Sequence, residues 1–230
     1  MRQIPLAIGP APLHTFEAFV PGANGAALAH LHALAGSLPA IQAATPVYLW
    51  GPQGCGKTHL LRALAEAARQ RGLRAGWFDA LSPAPWRLDD GWALLLLDGC
   101  ESFDEGQQQA AFAMFIEAGT QGVSVAAAGA LPPIDLPLRD DLRTRLGWGH
   151  VFALEALSEN DARAALRREA DRRGIFLSDE VMDFLLTRFS RDLKHLMALL
   201  DRLDEFALSQ HRGVTVPLLR RMFEQEGATL

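Results

Sequence analysis

The sequence predicts a five-stranded parallel α/β sheet with helices on both faces, followed by a smaller all-helical part. Three observations predict it. Val47-Tyr48-Leu49-Trp50 breaks into the turn Gly51-Pro52-Gln53-Gly54-Cys55-Gly56-Lys57-Thr58 and restarts as an apolar-periodic helix, the strand-turn-helix context of a phosphate-binding loop. Leu94-Leu95-Leu96-Leu97 runs without polar alternation into Asp98, as a strand buried on both faces does. Finally, strand-like runs alternate with helical periods only as far as residue 155. That alternation predicts parallel strands with right-handed crossovers.

In chain order, residues 1–12 hold three prolines and no helical period, so an extended tail is expected. Within it Gln3-Ile4-Pro5-Leu6-Ala7-Ile8 is an apolar hexapeptide. It reads either as a peptide that docks extended on a pocketed partner or as a strand folded back on its own domain. Residues 14–21 form a connector with Phe16, Phe19 and Val20 as anchors, and Asn24 is expected to cap a helix over 25–37 that ends at Pro39. After the strand at 47–50, the next helix stops at Gly72. Strands follow at 75–80, at 94–97 ending on Asp98, at 123–128 and at 150–154, with helices over 105–120 and 140–146 between them. From residue 156 only helices recur: one capped by Ser158, one opened by Ser178-Asp179-Glu180, a long one over 191–210, and a last one opened by Thr215-Val216-Pro217.

Composition bounds the function. The chain has 230 residues, 49% hydrophobic and 21% charged, which is globular rather than disordered or fibrous. A net charge of −5 argues against a nucleic-acid-binding surface spread over the whole chain. Cys55 and Cys100 lack metal-ligand spacing, so a reducing, cytoplasmic setting without a disulfide is expected. No apolar run approaches about 18 residues and no basic-then-apolar leader opens the chain, so neither a membrane span nor a signal peptide is expected.

The glycine turn has a chemical reason. Consecutive backbone N–H groups can wrap a polyphosphate only where side chains are small, and the following helix directs its positive dipole end at the anion. Only two of the 22 basic residues are lysines, Lys57 and Lys194. One of them therefore stands where a compact ammonium suits a phosphate better than a guanidinium fork. Lys57 is expected to reach the terminal phosphates, Thr58 to ligate Mg²⁺ and His59 to follow in the binding set. Asp98, at the carboxyl end of its strand, is the second expected Mg²⁺ ligand. Arginines 167, 168, 172 and 173 alternate with Glu169 and Asp171, and this run reads as a solvated face.

Together these motifs resemble the AAA+ P-loop nucleoside triphosphatases, and within them the core of the bacterial replication initiator DnaA and its short homologues. The resemblance rests on the glycine loop and Asp98. It rests also on Thr15-Phe16-Glu17-Ala18-Phe19-Val20-Pro21-Gly22, on 137–149 around Arg143-Thr144-Arg145-Leu146, on Phe189-Ser190-Arg191-Asp192-Leu193 and on Leu200-Asp201-Arg202-Leu203-Asp204. It implies an AAA+ base over 13–155, a helical lid over 156–230, and ADP or ATP with Mg²⁺ as ligands. By the same resemblance Arg145 is an arginine finger inserted into a neighbour's nucleotide site, with Arg143 as runner-up. Pairing of Arg145 with Asp140 or Asp141 on its own helix is the alternative. Arg191 resembles the sensor arginine of the lid, with a surface ion pair to Asp192 or Glu205 as the alternative. Val20 and Gly22 resemble an adenine and ribose contact, and core packing is equally open. Gln3 to Ile8 is similar to a docking peptide for the DNA polymerase III sliding clamp (beta subunit).

Two departures from the AAA+ pattern carry consequences. The second acid expected directly after Asp98 is replaced by Gly99, with Glu101 two residues on, and the polar sensor position falls at Ala128-Gly129-Ala130. Weak intrinsic hydrolysis is therefore expected unless Glu101 acts as the catalytic acid. No helix-turn-helix domain follows the helical part, so sequence-specific DNA binding is not expected. The implied function is a clamp-tethered, cytoplasmic regulator that stimulates ATP hydrolysis by DnaA and prevents reinitiation. The alternative is a self-assembling ATPase or helicase loader of the DnaA and DnaC type, and a homo-oligomer remains open in both.

Overall fold

The computed structural model describes residues 14–39, 45–188, 193–210 and 213–225. Five parallel strands form one sheet: β1 (Val47–Trp50), β2 (Arg74–Phe78), β3 (Trp92–Leu97), β4 (Ser124–Gly129) and β5 (His150–Ala153), in the order β2-β3-β4-β1-β5. Helices α1 (Gly25–Ser37), α2 (Lys57–Gln70), α3 (Glu105–Gln121) and α4 (Asp140–Gly147) join or precede them.

The leucine run shows how the layers arise. Successive strand side chains point to opposite faces, so Leu94 and Leu96 enter the core under α1 and α2, while Leu95 and Leu97 enter the core under α3 and α4. All four are fully buried, which at roughly 1.5–3 kcal/mol per leucine makes β3 a major contributor to sheet stability. Strand β4 ends on a glycine for a steric reason, since a Cβ on Gly129 would lie 2.2 Å from the Tyr48 hydroxyl. Val47 pairs with Ala126 on one side and His150 on the other, so the strand that leads into the glycine loop sits between β4 and β5.

Helix α3 begins with a capping box that the sequence reading did not foresee: Asp104 accepts from the Gln107 N–H at 2.8 Å and Gln107 accepts from the Asp104 N–H at 3.0 Å. This reciprocal arrangement satisfies two otherwise orphaned donors. Gln107 also donates to the Ala80 and Ser82 carbonyls, which pins the connection after β2.

Residues 159–225 contain α5 (Glu159–Arg172), α6 (Asp179–Arg188), α7 (Leu193–Gln210) and α8 (Val216–Gln225) around a separate apolar core that includes Leu166, Met182, Leu200 and Leu219. Ser158 caps α5 as expected, accepting from the Asp161 N–H at 3.1 Å. The arginine run on α5 is less loosely solvated than the sequence suggested. Arg167 pairs with Asp179 at 2.6 Å, Arg172 and Arg173 with Glu169 at 2.5 and 2.6 Å, and Arg173 also with Asp201.

One expectation is corrected. Asn24 immediately precedes α1, yet its side chain makes no cap. It donates instead to the Glu155 carbonyl at 2.9 Å and accepts from the Glu155 N–H at 2.8 Å. A 3-10 turn over Gly22–Asn24 precedes α1, and the side chain reaches the irregular segment that follows β5.

Candidate nucleotide-binding site and arginine face

The glycine loop leaves β1 at Gly51 and enters α2 at Lys57. Gly51, Gly54 and Gly56 have φ of 148°, 79° and 98°, a region side-chain-bearing residues rarely adopt. Space is as restrictive as conformation. A Cβ on Gly51 would lie 2.2 Å from the Leu154 carbonyl oxygen, and one on Gly56 would lie 2.5 Å from the Phe19 ring. No side chain caps α2, so its first-turn N–H groups face the loop as a ready anion site. Lys57 folds over that loop, its Nζ donating to the Gly51 and Pro52 carbonyls at 2.8 and 2.9 Å, with the Cys55 sulfur 3.7 Å away.

Thr58 and Asp98, 40 positions apart, meet: the threonine hydroxyl donates to the Asp98 carboxylate at 2.8 Å. Burial is the largest influence on Asp98 and raises its pKa, against the Thr58 hydrogen bond and the charges of Arg62 and Lys57. A hydroxyl and a part-buried carboxylate at the end of an anion-binding loop form an oxygen donor set suited to a hard divalent cation. The glycine cradle and this pair thus fit a nucleoside polyphosphate with its metal ion.

The neighbours differ in role. His59 turns to the connector: its Nε2 lies 2.9 Å from the Thr15 carbonyl and its Nδ1 3.4 Å from His14 Nδ1. Since a carbonyl only accepts, Nε2 carries the proton, and burial lowers the His59 pKa. Val20 is half-buried and Gly22 exposed. Gly22 adopts φ +48° and approaches Leu157 and Asp161 at the start of α5, a Cβ there lying 3.2 Å from Leu157 Cδ2. The Val20 to Gly22 turn therefore runs from the glycine loop, touched by Phe19, to the first helix of the helical part.

Gly99 follows Asp98 at φ +68°. Glu101 accepts from the Ala130 N–H at 3.0 Å, which ties it to the end of β4. Nearby, Tyr48 donates to the Leu131 carbonyl at 2.9 Å, and burial pushes its phenol far above the ordinary range.

Helix α4 presents the arginines. Arg139 pairs with Asp141 at 2.8 Å and Arg143 with Asp140 at 2.5 Å. Among the described residues no ion pair involves Arg145, whose guanidinium lies 5.1 Å from the centre of the Trp148 ring. The acids proposed as partners of Arg145 are thus engaged by its neighbours. Trp148 is 70% exposed and Ile134 79%; neither carried a sequence signal, since an apolar residue in a short loop does not declare its exposure. A groove of about 440 Å³ beside them is lined by residues including Ile134, Arg143 and Val151. Arg191 and the hexapeptide Gln3, Ile4, Pro5, Leu6, Ala7 and Ile8 lie outside the described residues.

Comparisons with known proteins converge. Residues 11–75 match a family described as the bacterial DnaA ATPase domain, and residues 159–223 match one described as the Hda lid domain. Domain III of the Thermotoga maritima replication initiation protein DnaA superposes with a TM-score of 0.77 at 21% identity, over 94% of this chain and 98% of that one. AMPPCP-bound DnaA from Aquifex aeolicus gives 0.68 at 22% identity, over 84% of this chain and 66% of that one. The Thermotoga maritima RuvB Holliday junction branch migration motor gives 0.63 at 14% identity, over 86% of this chain and 67% of that one. At these identities the structural likeness speaks for the fold.

Proposed function

We propose that this chain, whose residues 11–75 match the DnaA ATPase domain family and whose residues 159–223 match the Hda lid family, is an AAA+ negative regulator of replication initiation that acts on DnaA. In this reading residues 13–155 are the nucleotide-binding base, 156–230 the lid and 1–12 a clamp-docking tail. The chain holds ADP or ATP with Mg²⁺ between the glycine loop, Thr58 and Asp98, with Arg191 reaching from the lid. It offers Arg145 to the nucleotide of ATP-bound DnaA. Such a finger stabilises charge on the transferring phosphoryl group, an effect worth roughly 10³ to 10⁵ in rate in GTPase systems.

One observation carries the proposal. On α4 and at its N-terminal flank, Arg143 and Arg139 are paired with the two local carboxylates while Arg145 is not. A cation left unpaired because its neighbours engage the local acids is poised for an anion supplied by a partner. The chain's own site is arranged oppositely, with Gly99 after Asp98 and Glu101 bonded to the Ala130 N–H. Gln3 to Ile8 would hold the protein at the DNA-loaded sliding clamp, which localises this cytoplasmic protein to the replisome.

The test is ATP hydrolysis by DnaA with this protein and DNA-loaded clamp. Arg145→Ala should abolish the stimulation and leave clamp binding intact, whereas a Gln3→Ala/Leu6→Ala variant should lose clamp binding and retain nucleotide. Stimulation that survives Arg145→Ala removes the finger assignment. The position of Glu101 at the end of β4 favours a second reading, a self-assembling ATPase or helicase loader of the DnaA and DnaC type. Turnover by the isolated protein on the order of one per second, lost in Glu101→Gln, would support it.

A further inference from the structure

We propose that Trp148 is a positioning residue, holding the Arg145 guanidinium in the orientation from which it acts; the inference rests on the finger reading of Arg145. An arginine side chain has many rotamers, and immobilising it on a partner opposes association or catalysis. An aromatic face can meet that cost in advance by attracting the cation without consuming its N–H donors. This is the arrangement on α4. The guanidinium lies 5.1 Å from the Trp148 ring centre, and its five donors are left for an anion.

The contrast with Arg143 sharpens the assignment. Arg143 is held by Asp140 at 2.5 Å, with the Ile134 carbonyl at 3.5 Å, so its charge is already neutralised. A carboxylate would hold Arg145 equally well but would screen it from a phosphate. A ring holds it without screening.

The loop that carries the tryptophan is itself fixed. Trp148 is the C-terminal residue flanking α4, with its N–H directed to the Arg145 carbonyl at 3.4 Å. Next to it, Gly149 lets the chain press on Pro46, where a Cβ would lie 1.9 Å from the Pro46 carbonyl oxygen. The His150 N–H then donates to the same carbonyl at 2.8 Å. The backbone is thus braced against the start of β1 while the indole stays 70% exposed. An exposed ring beside a half-buried arginine adds little to folding and has its use on that surface.

The experiment measures DnaA ATP turnover with DNA-loaded clamp against increasing concentrations of this protein. Trp148→Ala and Trp148→Leu should lower the maximal stimulated rate about three- to thirtyfold, the range a cation–π contact spans from exposed to desolvated settings. The half-saturating concentration should stay within about twofold, because a group that acts in the transition state affects rate more than binding. Trp148→Phe should restore most of the rate, and Trp148→Ala in an Arg145→Ala background should change nothing further. Leucine supporting the wild-type rate would overturn the proposal, as would a loss confined to the half-saturating concentration, which assigns Trp148 to docking. A full response from Arg145→Ala alone is a different failure, that of the finger reading itself. Unchanged nucleotide binding by each variant verifies that the base remains folded.

Discussion

Replacing Asn24 by alanine should destabilise the base by about 2 kcal/mol. The side chain is 4% exposed and makes two hydrogen bonds with one residue, donating to the Glu155 carbonyl at 2.9 Å and accepting from its N–H at 2.8 Å. Each bond contributes roughly 0.5–1.5 kcal/mol. Glu155 is itself exposed, so water can reach the groups left behind and the full penalty of buried, unpaired donors does not apply. For a chain of this size about 2 kcal/mol corresponds to a fall of roughly 4–8 °C in midpoint. Tryptophan fluorescence is the suitable reporter, because all five tryptophans, Trp50, Trp77, Trp86, Trp92 and Trp148, precede the α5 to α8 helices. The isosteric Asn24→Asp can still accept from the Glu155 N–H but cannot donate at neutral pH, and it sets a carboxylate against a carbonyl. It should therefore lose at least as much as one hydrogen bond. A midpoint for Asn24→Ala within about 1 °C of wild type would refute the account and return Asn24 to a local role at the α1 terminus.

Gly56→Ala should abolish nucleotide binding measured by equilibrium titration, because the new methyl meets the Phe19 ring at 2.5 Å and the residue sits at φ +98°. A companion Gly36→Ala, whose Cβ meets nothing within 4 Å, should bind normally and be more stable by up to about 1 kcal/mol, the helix-propensity difference; equal binding by both would contradict the cradle geometry. A pH effect follows from His30 and His59, both lowered chiefly by burial. For each the unfolded chain binds the proton more readily, so stability is present above the ordinary histidine range, near about pH 6.5, and falls as pH drops through it. Thermal midpoints taken from about pH 7.5 to 5.5 should decline, and His30→Gln/His59→Gln should flatten that decline; an equally steep slope in the double variant would point to other groups.

Much of the architecture was legible because it is set by local patterning. The leucine run of β3 is buried on both faces, as an unalternating apolar strand in a parallel sheet must be, and β1, α2 and Asp98 stand where the glycine turn required them. Helix starts at Ser158 and stops at Gly72 and Gly174 follow from side-chain and φ preferences that act within a few residues. The Asp104 and Gln107 box was equally local and readable, since an acid three residues before a glutamine is its signature.

What the sequence alone determined was therefore the order of the elements and the meeting of a glycine loop with an acid at the carboxyl edge of a parallel sheet. It left open every choice between partners of similar spacing. Arg145 has acids four and five positions before it and a tryptophan three after it, and helical geometry alone permits pairing with either Asp141 or Trp148. The folded structure decided, because Arg139 and Arg143 engage the acids and Gly149, pressed on Pro46 far earlier in the chain, braces the loop that carries the ring. Likewise only the fold carried Asn24 across 131 positions to Glu155, and Phe19 onto Gly56. Local preferences are short-ranged and additive, whereas the engagement of a side chain depends on every competitor that the folded chain brings within reach.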